Sequence, residues 1–553
     1  MRRFLLCTLA LVLAFPAAGV AALNTDLRDY ATDELQRAVK LLQERQTEEA
    51  VLVMETLTDM PGLDGEEDIW VSLQYNLACG HSLLGDTDAA IACLRQATDA
   101  GWANARHMRA DTDLDNIRDD PRYTEILAKL DAIQRFWDNE FLSSPYAEDI
   151  SADEKVAGLS KLWSEVKYNF AFFDQVPDLN WDSLYVAFLP RVRETQSTLQ
   201  YYRLLEEMCA YLHDGHTGVT PPRELWDSLW ADMPIVTDLV EDKVLVIRVV
   251  ADSLRDLGIT EGLEVIKING IPVKEYADTR VRPYQPASTP QALNLRVYRH
   301  FLLSGAAGDS LELTFADRSG KTFSRYLHRG EVRWPSRPQL EFKKLDGSVA
   351  YLALNTFSNN EMVAQFDSLF PAISECKALV IDVRHNTGGN SGVGWSILRY
   401  LADDEFATSE WSTRDYRPAY RAWGRGRIWH TERGPVYTPH ESKHYSGPVV
   451  VLTSPETGSA AEDFCVAFDV MKRGVIVGQP TNGSTGQPLQ IRLPGGGSAR
   501  ICTKHDTYPD GTEFVGVGVL PDIRIEPTID DIRKDRDPVL KRALEYLKDN
   551  GKS

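Results

Sequence analysis

Apolar residues recur at helical spacing from the first hundred residues onward. Leu35, Ala38, Val39, Leu41 and Leu42 fall on one helical face. A second block runs from Tyr75 to Gly85 and continues through Ala89, Ala90, Ile91, Leu94 and Ala97. Small residues at Ala78, Ala90 and Ala97 let two helices approach closely, and Gly85 turns the hairpin between them, so residues 30–135 read as helical. Ser151-Ala-Asp-Glu154 is a capping box, and it opens an amphipathic helix with Val156, Leu159, Leu162, Trp163 and Val166 on one face. Residues 150–230 therefore form a second helical segment. The pattern changes near Met233 to short strands such as Val244–Val250 and Val265–Ile268, the latter ending in the hairpin signal Asn269-Gly270. Over residues 337–545 strands and helices alternate. The uninterrupted apolar runs Ala378–Val383 and Val449–Leu452 predict a largely parallel sheet covered on both faces. The aromatic, basic and Pro-rich stretch Arg414–Ser446 reads as a surface loop near the site. The fold class expected is a multidomain mixture of α and β elements.

The hairpin around Gly85 resembles a tetratricopeptide repeat, with a plain helical bundle as the alternative. The strand order over 233–330, with a short helix near Asp252–Leu257, resembles a PDZ domain, a module that binds a peptide along a sheet edge. Composition adds three limits. Arg2 and Arg3 precede the apolar run Phe4–Phe15, and small residues follow at Gly19–Ala22, so residues 1–22 read as a secretory signal peptide too short to span a bilayer. An exported, periplasmic or extracellular protein without membrane insertion is expected. Lys plus Arg number 60 against 81 Asp plus Glu, a formal charge of −21, which argues against nucleic acid as a partner. The seven cysteines contain no Cys-x-x-Cys pair. Cys79 and Cys93 flank the turn at Gly85, where they either meet or pack as reduced thiols.

Two glycine-marked turns follow buried strands and carry the candidate chemistry. The first is Asp382-Val-Arg-His-Asn-Thr-Gly-Gly389, whose adjacent glycines let backbone amides face a cavity. The second is Thr457-Gly-Ser-Ala-Ala-Glu-Asp463, directly before a helix. Ser459 at that place either presents its hydroxyl beside a helix N-terminus able to stabilise an oxyanion, or simply caps the helix. Three more motifs accompany them: Asp214-Gly-His-Thr217, Gly478-Gln-Pro-Thr481 and Gly518-Val-Leu-Pro-Asp522.

In this order around a PDZ-like segment, the five motifs resemble the S41 serine peptidases, which include tail-specific (C-terminal processing) proteases and the tricorn core. The resemblance covers about residues 150–545. It implies a Ser459 nucleophile, with Gly388 or Gly389 and Ala460 donating their amides to the oxyanion. Lysine-type members carry a catalytic Lys after the Gly-x-x-Thr turn, where this chain reads Thr481-Asn-Gly-Ser484-Thr-Gly. A histidine-type arrangement with His216 as general base is the reading that remains. The resemblance places a carboxylate before the Gly-Val-x-Pro-Asp turn to orient that histidine. The aligned place is Val515, which leaves Glu513 as a candidate and Glu462 as another.

His440-Glu-Ser-Lys-His444 matches the zinc-peptidase motif His-Glu-x-x-His. Pro439 before it and Gly447-Pro448 after it leave no helix to hold both histidines on one face, so no metal and no organic cofactor is expected. The expected activity is serine endopeptidase action on protein or peptide substrates, with protein partners for the helical N-terminal region. The competing reading is a catalytically inactive binder of an apolar ligand or peptide on the same fold, as in interphotoreceptor retinoid-binding protein.

Overall fold

The computed structural model describes residues 30–32, 34–137, 142–345, 348–426 and 428–550. The expected signal peptide, residues 1–22, lies outside them. The described residues up to 137 form one compact unit and those from 142 onward a second.

The first unit is helical, with α1 (Thr47–Thr58), α2 (Glu67–Leu84), α3 (Thr87–Asp99) and α4 (Pro121–Trp137). Helix α2 stops at Gly85, whose φ of +80° is the left-handed conformation that ends helices cheaply only at glycine. The Asp86 side chain accepts the Ala89 amide and starts α3. Ala78, Ala90, Leu94 and Ala97 are all buried in one cluster, which is why small residues recur there. Cys79 and Cys93 are not bridged; the Cys79 thiol lies 3.5 Å from Asp111 Oδ2.

The second unit starts with α5 (Ala152–Asn169), α6 (Trp181–Arg193) and α7 (Thr198–Ala210). The capping box at α5 is formed, with the Glu154 amide 3.3 Å from Ser151 Oγ and the Ser151 amide 2.9 Å from Glu154 Oε2. After α7 comes the short strand β1 (Gly218–Thr220). An antiparallel sheet follows, built from β2 (Ile235–Val240), β3 (Lys243–Val249), β4 (Glu264–Ile268), β5 (Ser310–Ala316) and β6 (Thr322–His328), paired in that order. Asn269 and Gly270 turn the chain with φ of +49° and +78°, as a type I′ hairpin requires. Val246, Val265, Ile268, Leu313 and Phe315 fill this sheet's own core.

The chain then alternates through β7 (Leu340–Leu345), β8 (Val349–Leu354), α8 (Glu361–Ser374), β9 (Ala378–Asp382) and α9 (Ser391–Leu398). After the hairpin β10 (Glu410–Asp415) and β11 (Ile428–Glu432) come β12 (Val449–Thr453), α10 (Ala460–Val470) and β13 (Gly474–Gly478). The last elements are β14 (Pro488–Arg492), β15 (Ser498–Cys502), β16 (Lys504–Thr507), β17 (Ile523–Arg524) and α11 (Pro538–Asn550). A six-stranded sheet has the order β17-β13-β12-β9-β8-β7; every pair is parallel except the edge pair β8–β7. Residues of its central strands alternate between two covered faces. Leu379, Ile381, Val449 and Val451 face the main core, while Val380, Val450, Leu452 and Val477 pack with Val539, Ala543 and Leu547 of α11. Double coverage is the reason these strands read as continuous apolar runs.

The stretch Arg414–Ser446, expected to be a surface loop, contains β-structure instead. β10 pairs with β11, and β10 also pairs with β16. The strand residues Trp429 and Thr431 alternate with polar neighbours, a pattern that the many Pro and Arg residues around them obscure.

Phe464 of α10 is fully buried against Phe357, with ring centroids 5.7 Å apart. Phe464→Ala is expected to cost about 3–5 kcal/mol through lost burial and a cavity, read as a lowered urea midpoint.

Candidate active site

Strands β9 and β12 are parallel neighbours, so the turns that follow them meet at the carboxyl edge of the sheet, where open α/β folds place ligands. Thr457 Oγ1 donates to the Val383 carbonyl at 2.9 Å and the Gly458 amide to the Asn386 carbonyl at 3.1 Å, which joins the two turns. Asn386 is buried and holds the first turn from inside: its Nδ2 donates to the Leu354 carbonyl, and its Oδ1 accepts the Gly388 amide at 2.9 Å.

Ser459 sits between β12 and α10 with φ +55° and ψ −130°. That region costs a non-glycine residue about 1–3 kcal/mol and is held only where surroundings impose it. Here the Ser459 amide donates to the Ser484 carbonyl at 3.0 Å and to Glu462 Oε2 at 3.2 Å. The hydroxyl is left facing His216, with 3.2 Å between Ser459 Oγ and His216 Nε2. Ser459 is the N-cap of α10, closed by Glu462 on its amide, and it faces His216 as well.

His216 is supplied by the loop between α7 and β1. Three contacts to distant strands fix the loop: β1 pairs with β15, the Cys502 amide donates to Thr217 Oγ1 at 2.9 Å, and Arg500 Nη2 donates to the Gly215 carbonyl at 2.8 Å. Ser288 Oγ accepts the Gly215 amide at 3.0 Å and reaches Asp214 Oδ1 at 3.3 Å. The second ring nitrogen, Nδ1, is 2.6 Å from Ser484 Oγ. Burial lowers the His216 pKa to about 4, with the Arg500 charge acting in the same direction and Asp214 against it.

Glu513, expected as a partner of His216, is elsewhere. Its residue pairs with Thr507 across a bridge, and its half-exposed carboxylate is 2.7 Å from His505 Nε2. Ser484 occupies the position beside His216 instead. The other carboxylate considered, Glu462, is fully buried and does not bond the imidazole. It accepts from Thr481 Oγ1 at 2.5 Å and from the Gly483, Ser484 and Ser459 amides at 2.6, 2.9 and 3.2 Å. Burial pushes its pKa up, and the four donors pull it back toward the carboxylate form that accepts them all.

Of the amides expected to face the site, that of Gly388 is engaged by Asn386. The Gly389 and Ala460 amides donate to no protein acceptor among the described residues. Gly388 has φ +104°, and a Cβ there would come within 2.6 Å of Ser459 Cβ; Gly389 has φ +141°, and a Cβ there would overlap the Phe357 carbonyl. The two glycines are thus required by backbone conformation and by close approach together. A cavity of about 300 Å³ opens over this arrangement, lined by His216, Ser459, Ser484, Thr387, Glu456 and Arg296 among others.

The histidines of the zinc-like motif engage different partners: His440 stacks near Tyr400 with ring centroids 4.3 Å apart, and His444 lies 3.0 Å from Asp403. Sequence reading missed Ser484, Asn386 and Ser288. For Ser484 a signal existed, since it falls in the segment where lysine-type members carry their base. Asn386 stands beside the glycine pair, but nothing in the sequence distinguishes it from an ordinary turn asparagine.

Glu462→Ala removes the acceptor shared by three amides. A stability loss of about 3 kcal/mol is expected from stranding buried donors, together with faster hydrogen exchange at Gly483, Ser484 and Ser459 measured by mass spectrometry.

The sequence model of peptidase family S41 matches residues 348–525. The chloroplastic C-terminal processing peptidase of Tetradesmus obliquus is 27% identical over 183 residues, 33% of this chain and 36% of that protein. A tricorn protease homologue of Streptomyces coelicolor is 25% identical over 408 residues, 67% of this chain and 31% of that protein. The chain therefore spans about a third of the length of these curated relatives. The crystal structure of mature CPAF superposes with a TM-score of 0.56 at 18% identity, covering 72% of this chain and 97% of that one, which is a likeness of fold. Residues 348–525 are thus similar to peptidase family S41, and the relatives that the chain matches include C-terminal processing peptidases.

Proposed function

We propose that the protein is an exported serine endopeptidase that cleaves protein or peptide substrates through an acyl-enzyme on Ser459. The observation that carries this reading is the 3.2 Å approach of His216 Nε2 to a serine hydroxyl held in a strained backbone conformation. For Nε2 to accept the Ser459 proton, Nδ1 must carry the ring hydrogen, and Ser484 Oγ is placed to accept it. Ser459 Oγ then attacks the substrate carbonyl while its proton passes to Nε2. The carbonyl oxygen gains the negative charge and accepts from the Gly389 and Ala460 amides, next to the positive end of α10. Collapse breaks the C–N bond, and His216 returns the proton to the leaving amine. Water, deprotonated by the same nitrogen, releases the acyl group and restores the hydroxyl.

Ser484 is a positioning residue in this scheme and supplies no charge. Its neutral hydroxyl leaves the imidazole uncharged over a wider pH range than a carboxylate partner would. The antiparallel sheet β2–β6 acts as the PDZ-like substrate module, and the helical residues 30–135 as a tetratricopeptide-like partner surface. Export rests on the basic and apolar residues 2–22; among the described residues no helix is long and apolar enough to cross a membrane.

Three outcomes test the reading. A fluorophosphonate probe labels the wild type, fails on Ser459→Ala, and labels His216→Ala on the order of 10²–10⁴-fold more slowly; a folded protein that never labels supports the inactive binder instead. Ser484→Ala lowers kcat on the order of 10²-fold through a misplaced imidazole, with KM little changed, in steady-state assays of a cleaved peptide. His216 works as the neutral base, so activity falls as pH drops through its folded-state pKa. That value is about 4, so the acid limb of kcat/KM lies well below the ordinary imidazole range near 6.5, as a pH–rate profile will read.

A further inference from the structure

The cavity above Ser459 adjoins a second one of about 400 Å³ that extends along β1 and β15. Gly215, Arg296 and Arg500 line both, so the two form one groove leading away from the site on the far side of the His216 loop. Their charged lining is not balanced in the usual way. Two carboxylates face the groove, and each already has a cation of its own: Glu206 Oε2 is 2.7 Å from Arg203, and Glu456 is 2.8 Å from Arg299 and 2.6 Å from His385. The two guanidiniums have none. Among the described residues neither Arg296 nor Arg500 forms an ion pair, although the chain carries 81 acidic residues against 60 Lys plus Arg. Arg500 uses one nitrogen on the Gly215 carbonyl and leaves the rest of its fork open.

Arg296 is the more telling of the two. Among the described residues its buried Nε has no hydrogen-bond partner, and its guanidinium lies 5.3 Å from the Phe301 ring centroid. Leaving a buried guanidinium donor unpaired is costly, and such groups in folded proteins normally have a partner. Burial lowers its pKa to about 10, with Arg500 acting in the same direction and the charge of Glu206, which does not bond it, acting against; it stays charged at neutral pH. It is held by the helical stretch Leu295–His300, whose preceding turn is anchored on the site loop: Thr289 Oγ1 donates to the Asn482 carbonyl and Gln291 Nε2 to the Thr481 carbonyl. The stretch that carries Arg296 thus rests on the segment that carries Ser484.

We propose that Arg296 and Arg500 form a carboxylate-binding subsite that seats an anionic group of the substrate beside Ser459. The proposal deepens, and rests on, the reading of Ser459 as the hydrolytic centre. A planar carboxylate matches the guanidinium fork and supplies the acceptor that Arg296 Nε lacks. Two substrate groups offer that chemistry, an Asp or Glu side chain near the cleaved bond and the α-carboxylate of a chain end.

The test is binding to full-length Ser459→Ala, which does not depend on turnover. Fluorescein-labelled peptides are compared in two pairs by anisotropy: an internal Glu against Gln, and a free C-terminal carboxylate against its amide. One carboxylate form should bind about 10-fold or more tighter than its neutral counterpart, as charge-assisted hydrogen bonds predict. The pair that shows the difference identifies the source. Adding Arg296→Gln or Arg500→Gln should bring the two forms within about 2-fold of each other, while Arg296→Lys keeps part of the preference. Arg500 is exposed on β15, so its variant tests the subsite even where circular dichroism finds Arg296→Gln unfolded. Equal binding of both forms in both pairs, or a preference that survives both arginine substitutions, overturns the proposal. Fluorophosphonate labelling of the wild type is read separately: a carboxylate preference in an unlabelled protein refutes the hydrolytic reading and leaves the subsite standing.

Discussion

The buried carboxylate of Glu462 is the interaction on which the site depends. One residue on the first turn of α10 accepts four hydrogen bonds, and they come from both sides of the serine–histidine arrangement. One comes from the Ser459 amide and stabilises a backbone conformation that serine adopts at a cost. The others come from Thr481, Gly483 and Ser484, the segment that approaches the far edge of the imidazole. With that segment in place, the Ser484 carbonyl accepts the Ser459 amide and the Ser484 hydroxyl meets Nδ1. A single desolvated group thus sets the spacing on either side of His216. Such a network is worth its burial only when every member is satisfied, and here all four donors are aimed at the two oxygens.

The imidazole is held by hydroxyls and a backbone frame, and among the described residues no carboxylate is bonded to it. Asp214 lies in the same loop, but its Oδ1 is turned to Ser288 and its Oδ2 meets no partner. The electrostatic consequence is an imidazole that stays neutral to unusually low pH, because burial and the Arg500 charge both disfavour its protonated form. In the proposed role of proton acceptor, such an imidazole gains availability and gives up basicity. The proposed oxyanion donors fit the same economy of charge, since they are amide dipoles and a helix end, already oriented before substrate arrives.

Much of the framework was legible from residue patterns because it rests on local rules. The capping box at Ser151, the hairpin at Asn269-Gly270 and the hairpin turn at Gly85 each depend on the conformational preferences of one or two residues. The central strands were legible because burial on both faces demands unbroken apolar runs. The pair Gly388-Gly389 stood out for the same reason: positive φ and close backbone approach exclude any side chain. The hairpin of β10 and β11 was not legible, since its strands are short and partly exposed and the pairing of β10 with β16 is remote in the chain.

The sequence by itself singled out the residues of the candidate site, Ser459, His216 and the glycine turn, and the sheet that carries two of them. Only the tertiary structure decided which groups serve them. Ser484 stands 268 residues from His216, and Glu513 was diverted to His505 by a bridge to Thr507. The side chain of Asn386 occupies the Gly388 amide, while that of Gly389 donates to no acceptor among the described residues. Motif positions follow from backbone conformation, which neighbours in sequence impose. Hydrogen-bond partners follow from distances of a few tenths of an ångström between segments far apart in the chain, and no pattern of residue types encodes those distances.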